Sequence, residues 1–219
     1  MNNKTFRKLI MTLMLTSLSV TALIGCGRQN DTSEAVDPVE SLEIDSKTEA
    51  ESVRKDGERF EEVIMLEGME ETVKYEHVRN DSIGFEIDYD YESFVRCSEP
   101  DRERFISIYD DLEKPENYLE LIYREGNADT VSTSVGDDLS NDYDIIREQS
   151  FLDHAGSCIR IDASSAKGGG TSDQLQMVYI IPAGDGCIIA TAHYSFESAE
   201  GFGRRFAYIM NTLEVVDGN

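Results

Sequence analysis

Forty-four acidic residues against twenty basic ones give this 219-residue chain a formal charge of −24. That imbalance argues against nucleic acid or anionic lipid headgroups as partners, because both are bound through Lys and Arg. It permits a cationic or metal-ion partner without requiring one, and it suits an exported protein kept soluble and repelled from an anionic membrane.

The chain opens with three cations, Lys4, Arg7 and Lys8, followed by an uncharged apolar run from Leu9 to Ile24. This is the pattern of a secretory signal, and the run is shorter than the roughly 20 apolar residues that span a bilayer as a helix. It ends in Leu23-Ile24-Gly25-Cys26. These four residues resemble the bacterial lipobox, in which the small residue before the cysteine permits cleavage there and the cysteine thiol accepts a diacylglycerol. The resemblance implies lipidation of Cys26, including a palmitate-type chain. Losing the three leader cations takes the mature charge from −24 to about −27.

Residues 26–59 are acidic and rich in Ser and Thr, with scattered aliphatics and no aromatic residue before Phe60. Such a composition buries too little apolar surface to offset its ordering entropy, so it reads as a disordered tether. A flexible chain of about 30 residues has an r.m.s. span on the order of 30 Å. Eighteen of the 19 Phe and Tyr residues lie from Phe60 onward. The expected organisation is therefore a signal peptide at 1–25, a lipidated cysteine and tether at 26–59, and one globular domain at 60–217.

Within the domain, Glu62 to Leu66 and Glu71 to Val78 flank Glu67-Gly68-Met69-Glu70, the length and composition of a hairpin connection. Gly84 to Tyr89 alternates, with Phe85, Ile87 and Tyr89 on one face and Glu86 and Asp88 on the other, as a half-buried strand does. Phe105 to Tyr109 and Tyr118 to Tyr123 read as strands joined by a Pro115-containing loop. Val131, Val135 and Leu139, four apart, predict a short helix over Ala128 to Leu139, and strands resume from Asp144.

Cys158 to Ala163, Leu175 to Ile181 and Cys187 to Tyr194 read as consecutive antiparallel strands, separated by Lys167-Gly168-Gly169-Gly170 and by Pro182 to Gly186. The middle one is apolar on both faces, which places it at the centre of a sheet covered on both sides. Phe202, Phe206, Ile209 and Leu213 then recur at helical spacing, with Glu200 four residues before Arg204. The fold expected from this order is α+β, a single antiparallel sheet packed with helices.

The Gly84-Phe-x-Ile-x-Tyr89 strand, the late meander, and a last helix running into Asn211-Thr212-Leu213-Glu214-Val215 resemble the Mog1/PsbP-type α/β sandwich, which recurs in bacterial lipoproteins. The likeness covers most of residues 60–217. It implies an accessory or binding role, favours a non-enzymatic one, and carries over no site residue.

The chemistry-bearing residues are few. Cys97, Cys158 and Cys187 remain after lipidation, in a compartment where disulfides persist. Strands two apart put Cys158 and Cys187 roughly 10 Å from each other, against the limit of about 6.8 Å for a disulfide. Cys97, in a loop-like stretch, could reach either, and all three are equally readable as small buried hydrophobes. Cys187 and His193 share a strand face but lie about 20 Å apart along it, too far for a nucleophile and its base. His154 sits in a turn, and His77 is a strand residue without an evident partner.

No G-x-S-x-G, H-E-x-x-H or C-x-x-C occurs, and Lys167 precedes its glycines rather than following them as in a phosphate loop. Glu86, Asp88 and Asp90, the pair Asp110-Asp111, and Asp137-Asp138 with Asp142 and Asp144 lack the order of a calcium loop and read as solvated faces.

No catalytic residue, metal ligand or cofactor is assigned. Two roles stay open: a membrane-anchored cell-envelope binding or accessory module, meeting an envelope protein or small ligand at a Gram-positive-type cell surface, or an envelope hydrolase with a site built from distant residues. The anchor itself is testable. Cys26→Ser is expected to move the protein out of the membrane fraction and lower its mass by the lipid; an unchanged mass and fractionation would contradict lipidation.

Overall fold

A computed structural model describes residues 54–66, 68–165 and 173–216, all within one compact unit, Glu49–Asn219. The signal peptide, Cys26, the tether up to residue 53 and the Gly168-Gly169-Gly170 loop lie outside the described residues. Among the described residues no helix is long and apolar enough to cross a membrane.

Two antiparallel sheets face each other. The smaller has the order β1-β2-β3-β11, formed by β1 (Arg59–Leu66), β2 (Met69–Asn80), β3 (Phe85–Asp90) and β11 (Glu214–Val215). The larger is built from β4 (Phe94–Glu99), β5 (Arg102–Ser107), β6 (Tyr118–Glu125), β7 (Asp144–Leu152), β8 (Gly156–Ser164), β9 (Gln174–Ala183) and β10 (Gly186–Ser195). Its order is β4-β5-β6-β10-β9-β8-β7. Two α-helices accompany them among the described residues, α1 (Ala128–Leu139) and α2 (Ala199–Asn211).

This corrects the expected single sheet packed with helices. The chain leaves the small sheet at Asp90 and enters the large one at Phe94, so the first three strands belong to a second sheet. Alternation along β3 does show that Phe85, Ile87 and Tyr89 are buried, but a facing sheet satisfies that pattern as well as a helix does. β4 also corrects the loop-like reading around Cys97. Its Arg96 and Ser98 share the Phe94 face and bond to Glu103, so polar residues occupy the alternate positions where apolar ones would have marked a strand.

The large sheet is covered on both sides. On one face Val131 of α1, flanked by Val135 and Leu139, packs on Ile159, Ile161, Val178, Ile180, Cys187 and Ile189. Asn127 caps this helix by accepting from the Thr130 amide at 2.9 Å. Gly136 is buried against the sheet, where an added Cβ would sit in ordinary contact, 3.5 Å from Ile145 Cδ1. On the opposite face, Phe105, Leu119, Leu121, Met177, Tyr179, Ile181 and Ile188 meet Val78, Phe85, Ile87 and Tyr89 of the small sheet. Phe206, Ile209 and Met210 of α2 join that core, with Phe94 and Phe206 ring centroids 5.2 Å apart. Each such side chain contributes about 1.5–3 kcal/mol when fully buried. β9 is thus apolar and covered on both faces as its sequence requires, although the middle strand of the seven is β10.

One buried carboxylate ties the sheets together at their edge. Glu103 of β5 is 0 % exposed. It accepts from Arg96 Nε of β4 at 2.9 Å, from Asn80 Nδ2 of β2 at 2.9 Å and from the Ser98 hydroxyl. Burying a lone carboxylate is prohibitive, so three donors from two sheets are what make the position tenable. Removing it strips Asn80 Nδ2 of its acceptor and leaves Arg96, which is 25 % exposed and partly solvated, with only Asp56 at 3.4 Å. Glu103→Ala is therefore expected to destabilise the protein by about 3 kcal/mol, read from urea unfolding; a loss within measurement error would show that the clamp contributes nothing.

Candidate functional site

The three cysteines do not converge. Cys97 is on β4, while Cys158 on β8 and Cys187 on β10 are buried, and all three are free. Cys158 points into the core between the sheets and Cys187 toward α1, so the strand between them also separates their faces. Burial pushes both thiols above their ordinary range, which keeps them protonated and unreactive. Cys187 Sγ donates to the Gly126 carbonyl at 3.4 Å. His193, at the other end of β10, donates from Nδ1 to the Glu116 carbonyl at 2.8 Å.

The acidic clusters fare differently from one another. Asp110 accepts from the Glu116 and Asn117 amides and Asp111 from the Glu113 amide, so both organise the β5–β6 connection. Asp137 and Asp138 border an open hollow of about 600 Å³ along α1, with Asp129 and Thr133. Among the described residues no three His, Cys, Asp or Glu side chains are placed to hold a metal ion.

Asp88 and Asp90 are not solvated, contrary to the sequence reading; they are 6 % and 4 % exposed. Asp90 pairs with Arg205 of α2 at 2.8 Å, and the same guanidinium reaches Glu71 at 2.8 Å. Asp88 accepts from His77 Nδ1 at 2.8 Å and from Arg54 at 3.1 Å. His77, which the sequence left without a partner, is the residue opposite Asp88 in the β2–β3 ladder. Its Nε2 lies 3.6 Å from Glu86, too far to bond, and has no hydrogen-bond partner. Glu86 is itself held by Arg79. The result is a carboxylate-oriented imidazole with one free nitrogen, 7 % exposed.

A partly accessible constellation lies on the α1 face of the large sheet, beyond the helix. α1 packs on β7, β8, β9 and β10, and the same face of β5 and β6 carries Arg102, Arg104, Tyr118 and Glu120, all partly exposed. One oxygen, Glu120 Oε2, serves both arginines, at 3.1 Å from Arg102 Nε and 2.7 Å from Arg104 Nε. The first of these contacts is an ion pair without hydrogen-bond geometry, since Arg102 Nε has no bonded partner.

For Arg104, burial works against the charged form, but the bond to Glu120 and its charge raise the group above its ordinary value. Beside the arginines, the Tyr118 and His193 rings stack with centroids 5.1 Å apart and planes at 16°. The terminal guanidinium nitrogens of Arg102 and Arg104 make no hydrogen bond among the described residues. A planar, forked donor of this kind fits a carboxylate or phosphate edge-on. Sequence reading missed the pair because Arg102 and Arg104 meet Glu120 only through the β5–β6 register.

No protein-family model matches the chain, and no curated protein matches it. Solved structures similar to it include a protein of Bacteroides thetaiotaomicron at 11 % identity and TM-score 0.39, covering 60 % of this chain. This chain spans only 44 % of that protein's length. The Ran-binding protein Mog1p of Saccharomyces cerevisiae is similar at 11 % identity and TM-score 0.46, over 66 % of this chain and 97 % of its own. PsbP (CyanoP) of Synechocystis is similar at 12 % identity and TM-score 0.41, over 64 % of this chain and 92 % of its own. What those proteins bind or assemble with is a property of those proteins.

Proposed function

We propose that the chain is an exported lipoprotein, held at a membrane through Cys26, whose domain is an envelope binding module that takes an anionic group on the open half of its large sheet. The observation that supports this most is the Arg102–Glu120–Arg104 arrangement. In a chain of charge −24, two guanidiniums share one carboxylate oxygen on a partly exposed face, beside a stacked Tyr118–His193 pair. Glu99, opposite Arg102 on β4, sets a second carboxylate beside the pair, so the face offers anions forked N–H donors rather than a surplus of positive charge. The flat rings offer a face for the remainder of the ligand. The lipid would hold the module at the membrane, the tether would give it reach, and the domain would occupy 60–217.

A hydrolase is the second reading, and the Asp88–His77 pair favours it: a carboxylate fixing an imidazole with a free Nε2 is how a general base is oriented. Its weakness is access, since His77 is buried, and no hydroxyl or thiol bonds to its free nitrogen. Turnover of an envelope substrate that His77→Gln abolished would favour this reading over the first.

The binding reading is tested by thermal shift on the full chain with citrate, inorganic phosphate and a polyglutamate peptide. At least one is expected to raise the melting temperature of the native protein and not of the Arg102→Gln, Arg104→Gln double variant. Equal shifts in both proteins, or none in either, would overturn the assignment of the anion to this face.

A further inference from the structure

β7 is the outermost strand of the large sheet, and its geometry is that of an unfinished one. All nine of its residues pair with β8 without a bulge, from Asp144 opposite Ser164 to Leu152 opposite Gly156. On its other side no strand pairs with it among the described residues. Monomeric proteins blunt such edges with Lys, Pro, a bulge or a short strand, because a free row of N–H and C=O groups recruits another chain. The segment Asp-Ile-Ile-Arg-Glu-Gln-Ser-Phe-Leu has no Lys, Pro or bulge, and its charges, Asp144, Arg147 and Glu148, are of both signs. It also exposes two large apolar side chains, Ile146 at 67 % and Phe151 at 65 %.

We infer that β7 is a self-association edge, through which two copies of this chain pair antiparallel about a two-fold axis and join their large sheets into one. The occupant is identified by self-complementarity. A two-fold perpendicular to the sheet keeps each face with itself, and residues opposite one another in an antiparallel ladder share a face. Only registers centred on a residue are then allowed. Centring on Arg147 or Glu148 sets like charges against each other, which is destabilising. Centring on Ser150 sets Glu148 against Leu152.

Centring on Gln149 sets two neutral amides at the axis, and it places Ile146 opposite Leu152 of the second copy on one face. On the other face it places Arg147 opposite Phe151 of the second copy, a cation beside a ring. Both pairs occur twice by symmetry, and together they cover both exposed apolar residues. Leu152 is itself 2 % exposed, so Ile146 of the second copy meets the neutral rim of a position already buried rather than a charge. Nine residues make a small interface, and the acidic surfaces of the two copies repel over roughly a Debye length of ~8 Å at physiological salt. The pairing is consequently weak in dilute solution and strengthens when the copies are concentrated on one surface.

The test uses the full chain carrying Cys26→Ser and Cys97→Ser, so that no other accessible thiol competes. With Gln149→Cys added, mild oxidation at about 0.1 mM is expected to yield a covalent dimer at least about tenfold faster than the same chain with Glu61→Cys on the exposed β1 edge. Adding Ile146→Lys, a natural edge-blocking residue at an exposed position, is expected to remove that advantage without changing the melting temperature. Cross-linking no faster through position 149 than through position 61 overturns the inference, as does a fast rate that Ile146→Lys leaves intact.

Discussion

A strand with apolar side chains on both faces has to be covered twice, and that requirement organises this domain. β9 carries Met177, Tyr179 and Ile181 on one side and Val178 and Ile180 on the other, all nearly inaccessible to solvent. The chain answers with two different covers. One is a single helix, α1; the other is a second sheet with α2 beside it. The covers differ in width, and that difference leaves the β5–β6 part of the α1 face with Arg102, Arg104 and Tyr118 partly in water.

Polar groups do the joining where apolar area runs out. Glu103 draws donors from β4 and β2 at the sheet edge. Asp88 and Asp90 are held on the other face of the small sheet by residues from β2, α2 and the segment that enters the domain, with Arg54, His77 and Arg205 as partners. Each of these carboxylates is buried only because its partners come with it, so the exposed acidity and the buried acidity have opposite consequences. The exposed residues set the long-range charge, whereas the buried ones specify which elements meet.

Much of this was legible from residues alone. The stripe Val131, Val135, Leu139 located α1 to the residue, and the stretch Pro182 to Gly186 located the β9–β10 turn, which is only Gly184-Asp185, with Gly184 at φ +55°, because Pro182 and Ala183 still pair in the ladder. The partition into two sheets was not legible, because period-two alternation reports that a face is buried and not what buries it. Nor were β4 or the His77–Asp88 pair, for a shared reason. Their alternating positions hold Arg96, Ser98, His77 and Asp88, polar residues whose partners only the strand register brings near. The arginine pair on the open face escaped notice in the same way, since Arg102 and Glu120 are brought together by β5 pairing with β6.

The central claim is that the two-sided burial around β9 is the rigid frame, and that the partly open β5–β6 face is a surface carried by it. Native-state amide hydrogen exchange tests this most directly. The account requires the amides of β9 and β10 to exchange only through global unfolding, with those of β4 and of the β1–β2 hairpin exchanging through smaller openings. Equal or faster exchange in β9 than in the β1–β2 hairpin would contradict it.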